Sequence, residues 1–88
     1  MQSDKFIQSH VYSSKHGEFF ISTCYRQSSA MLNPDNWYYE TLAWKWVNSA
    51  RTDWVAANGG AITKTGAYKQ HIEVCRQLEA NGKHDPPN

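Results

Sequence analysis

The chain is expected to fold as an α+β domain, a three- or four-stranded antiparallel sheet in β-β-β-α order with a C-terminal helix packed on one face. Three observations predict it. Eleven of the twelve aromatic residues lie within the first 54 positions, and only Tyr68 lies beyond them. Two runs in that region, rich in β-branched and aromatic residues, flank a turn that ends in glycine, which is a hairpin signature. After residue 64 the apolar positions recur with the 3.6-residue period of an amphipathic helix.

The first two strands are expected at 5–13 and 18–27, joined by Ser14-Lys15-His16-Gly17, where Gly17 can take the positive φ of a tight turn. Pairing Ser14 with Gly17 sets Val11 opposite Phe20 and Ile7 opposite Cys24. Phe6, Tyr12, Phe19, Ile21 and Tyr25 then line the reverse side. Neither side is polar, so both must be covered or one must stay an exposed aromatic face.

Residues 28–36 read as a loop with turn chemistry at Asn33-Pro34-Asp35-Asn36. Asn33-Pro34 also resembles the start of a helix, and Tyr38, Leu42 and Trp46 recur at i, i+4. Five aromatics with Thr and Val in WYYETLAWKWV favour a strand over 37–47 instead. That strand puts Tyr38, Leu42, Trp44 and Trp46 on one side and Trp37, Tyr39, Thr41, Ala43 and Val47 on the other. Residues 48–61 are polar around Trp54-Val55, and a short strand or a helical turn both fit. Thr63 or Thr65 caps a helix from about 66 to 81, with a stripe of Ala67, Tyr68, His71, Ile72, Val74, Cys75 and Leu78, closed by Gly82. One domain over 1–82 and a disordered tail over 83–88 follow.

Apolar residues make up 40% of the chain while mean hydropathy is −0.74. Trp and Tyr reconcile the two, since they are bulky but score as weakly polar, so the core is expected to be aromatic. The net charge of +1 is spread evenly along the chain, which weighs against a nucleic-acid binder relying on a basic excess. MQSDKFIQSH lacks the apolar run of an export signal, and no stretch is apolar enough for a membrane helix. A cytoplasmic protein with reduced thiols at Cys24 and Cys75 is expected, with no membrane partner.

The succession Ile21-Ser22-Thr23, Tyr39-Glu40-Thr41-Leu42 and a Thr-opened helix with Ala67 and His71 four apart resembles small phage- and prophage-encoded proteins. In these an S-T strand, a Y-E-T strand and an A-x-x-x-H helix recur. The likeness spans roughly 19–80. It implies β-β-β-α order and a mobile-element origin, and it brings no activity with it.

His71 and Cys75 at i, i+4 could ligate a metal if Cys24 approached from the sheet, or form a Cys-His nucleophile pair. Both lie inside the apolar stripe, where they are better read as core. Glu40 could be a lone base, but pairing with Arg26 across strands is the plainer reading. No P-loop, G-x-G-x-x-G or glycine-flanked Ser is present. No enzyme activity, cofactor or metal is therefore expected.

The reading favoured here is an interaction module whose leftover sheet face binds a protein or a second copy, with Tyr38, Trp44, Trp46, Arg51, Trp54, Lys45 and Arg26 as contact residues. The alternative is single-stranded nucleic acid stacking on the same rings, with Lys5, Arg26, Lys45 and Arg51 in one stripe.

Overall fold

A computed structural model of the protein describes residues 3–27 and 37–83. The turn expected at Asn33–Asn36 and the tail from His84 onward lie outside the described residues. Strands β1 (Ser3–Ser13), β2 (Gly17–Gln27), β3 (Trp37–Val47) and β4 (Ala50–Ala61) form an antiparallel sheet in the order β1-β2-β3-β4, followed by α1 (Lys64–Asn81). The expected α+β class holds, with four strands before the helix.

The first hairpin is offset by one residue from the expected register. Ser13, not Ser14, pairs with Gly17, and Val11 faces Phe19 rather than Phe20. Gly17 at φ 92° closes the loop, and the His16 N–H donates to Ser13 Oγ at 3.2 Å. Because side chains alternate with period 2, one step of register exchanges faces. Val11 thereby joins Phe19 and Ile21 beneath the helix, and Tyr12 joins Glu18 on the opposite side. Ile7 faces Thr23 rather than Cys24, and a bulge between Lys5 and Ile7 lets the Phe6 ring meet Tyr39 and Tyr68.

Residues 37–47 are a strand, with Tyr39, Thr41 and Ala43 buried on the side expected. β4 fills the segment where strand and helical turn were both open. Asn48 and Ser49 both have positive φ, 53° and 65°, and make the two-residue turn that matches strand twist. Three register shifts interrupt the β3–β4 pairing, one of them beside Gly60 at φ 109°. An edge strand bent this way is a poor template for pairing with another chain.

α1 begins on Thr63, whose side chain accepts from the Gly66 N–H at 3.1 Å. It ends on Gly82 in the left-handed conformation, with its N–H donating to the Leu78 carbonyl. The helix buries Ala67, His71, Val74 and Leu78 against Phe19, Ile21, Ala43 and Ala56. Tyr68 and Ile72, expected in the buried stripe, are about half exposed at its margin. Burying each large side chain of the core contributes roughly 1.5–3 kcal/mol, which is what holds helix to sheet. Among the described residues no helix is long and apolar enough to cross a membrane.

Candidate functional site on the open sheet face

With one helix on one face, the other face of the sheet carries what alternation leaves there. Phe20, Trp44 and Trp46 come from β2 and β3 and are only partly buried. Their rings form a row: Phe20 and Trp44 stack with centroids 6.1 Å apart, and Phe20 and Trp46 lie 5.5 Å apart. His10 meets Trp46 edge-on at 4.8 Å, and its Nδ1–H donates to Glu18 Oε2 at 3.0 Å. The Arg51 guanidinium sits 4.8 Å from the Trp44 ring centre and 5.7 Å from that of Phe20, a cation held by the ring quadrupoles. Trp54 pairs with Trp44 in register and is 63% exposed.

Beside the ring row is a depression of about 250 Å³ lined by Lys5, Gln8, Ser22, Cys24, Arg26, Glu40, Leu42, Trp44 and Arg51. Arg26 donates from Nη1 to Glu40 Oε1 across β2 and β3, the pairing expected for Glu40. The hydrogen bond and charge of Glu40 raise the Arg26 pKa above its ordinary value, so the guanidinium is charged at any working pH. Among the described residues Lys5 and Arg51 have no carboxylate within salt-bridge distance.

Of the expected contact residues, Trp44, Trp46 and Arg51 come together on this face with Trp54 beside them, Arg26 lines the depression, and Tyr38 stands apart from the ring row, paired with Arg26 six residues along β3 from Trp44. Lys45 does not: it pairs with Phe19 and so projects from the helix side, and the single stripe of four cations does not form. Sequence reasoning missed His10 and Gln8, which the expected hairpin register set on the other face, and Phe20 and Ser22, whose grouping with Trp44 and Leu42 needs the β2–β3 register.

The trio His71, Cys75 and Cys24 is not assembled. Cys24 lines the open-face depression, while His71 is buried under the helix on the other side of the sheet. Among the described residues no three His, Cys, Asp or Glu side chains converge. His71 instead belongs to a polar chain through the core. Gln70 Nε2 reaches the Tyr39 carbonyl at 3.2 Å and Thr41 Oγ1 at 2.9 Å. A carbonyl can only accept, so that atom is the amide nitrogen and donates to both. The Thr41 hydroxyl then donates to Thr23 Oγ1 at 2.6 Å, and the Thr23 hydroxyl donates to His71 Nδ1 at 2.7 Å. The ring proton therefore sits on Nε2 and is donated to Ser9 Oγ at 2.8 Å.

Reversing the chain would leave the Thr41 proton without an acceptor at a fully buried site, which costs about 1–3 kcal/mol. Burial lowers the His71 pKa. Burial likewise pushes the Cys75 thiol up, partly offset by a hydrogen bond from Ser9, the opposite of what a nucleophilic thiolate needs. The buried polar groups of this face serve packing and register.

Comparison with protein families, curated proteins and solved structures finds no match to this chain.

Proposed function

We propose that the protein is a non-enzymatic interaction module, encoded by a phage or prophage and acting in the host cytoplasm, that docks a protein partner or a second copy through the open sheet face. The observation that carries this reading is the ring row Phe20-Trp44-Trp46 capped by Arg51, over which no element packs among the described residues. Trp, Tyr and Arg are the residues that anchor interfaces, since they bring large contact area with little conformational entropy to lose. A small domain gains little by holding such rings on a face no helix covers. The phage origin rests on the strand and helix motifs alone.

The clearest test compares wild type with Trp44→Ala in capture from host lysate, alongside light scattering over a range of concentrations. Loss of the captured partner, or of self-association, in the variant supports the reading. Equal behaviour of a folded Trp44→Ala protein would remove it. Single-stranded nucleic acid is the second reading, favoured by one observation: Lys5, Arg26 and Arg51 border the same depression beside Trp44.

A further inference from the structure

The depression beside the ring row is small, cationic and already partly furnished. At about 250 Å³ it falls below the roughly 300–1,000 Å³ typical of small-molecule sites and suits one anchoring side chain. Three cations border it against one carboxylate, and that carboxylate, Glu40, is engaged by Arg26. Lys5 and Arg51 remain as two positive groups with no acidic partner among the described residues, on the margin of a ring surface. Gln8 and Ser22, bonded to each other at 3.3 Å, add hydrogen-bonding groups to the same wall.

We propose that this depression is the anchor point of the open face and takes the carboxylate of an Asp or Glu side chain from an acidic protein segment, held between Lys5 and Arg51. The proposal rests on the reading that the open face is a docking surface and names what docks there. A carboxylate approaching Arg51, whose guanidinium carbon lies 4.8 Å from the Trp44 ring centre, would take the paired N–H groups of the guanidinium edge. The apolar neighbours of that acid would lie along Phe20, Trp46 and Leu42.

Two features favour a peptide carboxylate over the phosphates of a nucleic acid. Arg51 already covers the Trp44 and Phe20 faces on which a base would stack. Lys45 is turned to the other side of the sheet, while Glu18 and Glu40 stand on this one, so no row of cations tracks a sugar-phosphate backbone. A single carboxylate is held by one or two cations, and Arg51 and Lys5 supply them.

The experiment immobilises the full chain and selects from a library of short random peptides, with an oligothymidine as competitor. The expected result is a selected pool enriched in Asp and Glu beside apolar residues. Exchange of the selected acid for its amide should weaken binding about tenfold or more, the loss of one charge-assisted contact. The Lys5→Glu/Arg51→Glu variant, its fold checked by circular dichroism, should select basic peptides instead.

A pool without acidic enrichment overturns the inference, as does an unchanged preference in the charge-reversed variant. So does oligothymidine binding tighter than the peptides, or self-association that the acidic peptide fails to displace. The two readings fail separately. Neutral peptides whose capture is lost in Trp44→Ala would retain the docking face and remove the carboxylate anchor; equal capture by wild type and Trp44→Ala would remove the docking face itself.

Discussion

Phe19 and Phe20 are neighbours on β2 and inhabit different molecules in effect. Phe19 is fully buried among Ile21, Ala43, Val74 and Leu78. Phe20 is partly exposed and meets His10, Trp44, Trp46 and Arg51 on the open face. The covered face is closed by apolar packing and by a polar chain whose every member has a partner. Among the described residues the open face has no second layer, and its rings shield one another. One face therefore holds the packed core of the fold, and on the proposed reading the other offers contact surface, although composition along β2 and β3 does not distinguish them.

The difference is broken most directly at those two residues. Phe19→Ala should cost about 3–5 kcal/mol in urea unfolding, since it opens a cavity in a packed core. Phe20→Ala removes a half-buried ring and should cost less than half as much. Equal costs would mean that the open face is as tightly integrated as the core, and the case for a docking surface would lose its footing.

A pH titration sharpens the covered side. A histidine in the unfolded chain titrates near 6.5, and burial sets His71 below that. The unfolded chain then binds more protons than the folded one as pH falls through 6.5. The stability contributed by the neutral ring is fully present above 6.5 and declines below it, by up to about 1.4 kcal/mol per pH unit, until the folded-state pKa is reached. Following the His71 ring signals by NMR separates this from the other three histidines, His10, His16 and His84. An Nε2–H tautomer at neutral pH and a midpoint below 6.5 are expected; an Nδ1–H tautomer would reverse the derived direction of the Gln70-Thr41-Thr23 chain.

How much of this was legible beforehand follows from where alternation was unbroken. β3 carries eleven residues without a bulge of its own side chains' order, and its two faces could be assigned correctly from period 2 alone. The helix was readable from its stripe and from Gly82, with the start settled on Thr63 by a hydrogen bond that residue type alone could not choose over Thr65. β1 and β2 were recognised, but a single loop residue decides their register, and Ser13 Oγ accepting from His16 moved it by one. That step set His10 on the wrong face, while the grouping of Phe20 with Trp44 and Trp46 depends on the β2–β3 register, which the sequence left open. β4 was hidden because its register shifts destroy the alternation by which a strand is recognised, although Asn48-Ser49 carried a usable turn signal. The His71 chain was out of reach, since it joins residues 9, 23, 41 and 71, whose adjacency exists only once the sheet is paired.

The helix termini offer a smaller test on the covered side. Thr63→Ala removes the acceptor for the Gly66 N–H and should cost about 1 kcal/mol. Gly82→Ala meets two penalties, a left-handed backbone and a new methyl 2.6 Å from the His16 ring carbon, and should cost at least as much. The second value reports on how firmly the β1–β2 turn rests on the end of the helix.

The smallest expected effect falls on the open face. A double-mutant cycle of Arg51→Gln and Trp44→Leu isolates the stacked contact between them. A cation over an exposed ring contributes about 0.5–1 kcal/mol, and exposed ion contacts elsewhere on such surfaces give no more. A coupling in that range would mean that Arg51 is held lightly, so that its guanidinium edge can be reoriented by an incoming carboxylate at little cost to the fold. A coupling of several kcal/mol would instead make Arg51 part of the packing, fixed over Trp44 as Leu78 is fixed beneath the sheet. The contrast between the faces would then lie in composition alone, because each would be closed by its own interactions.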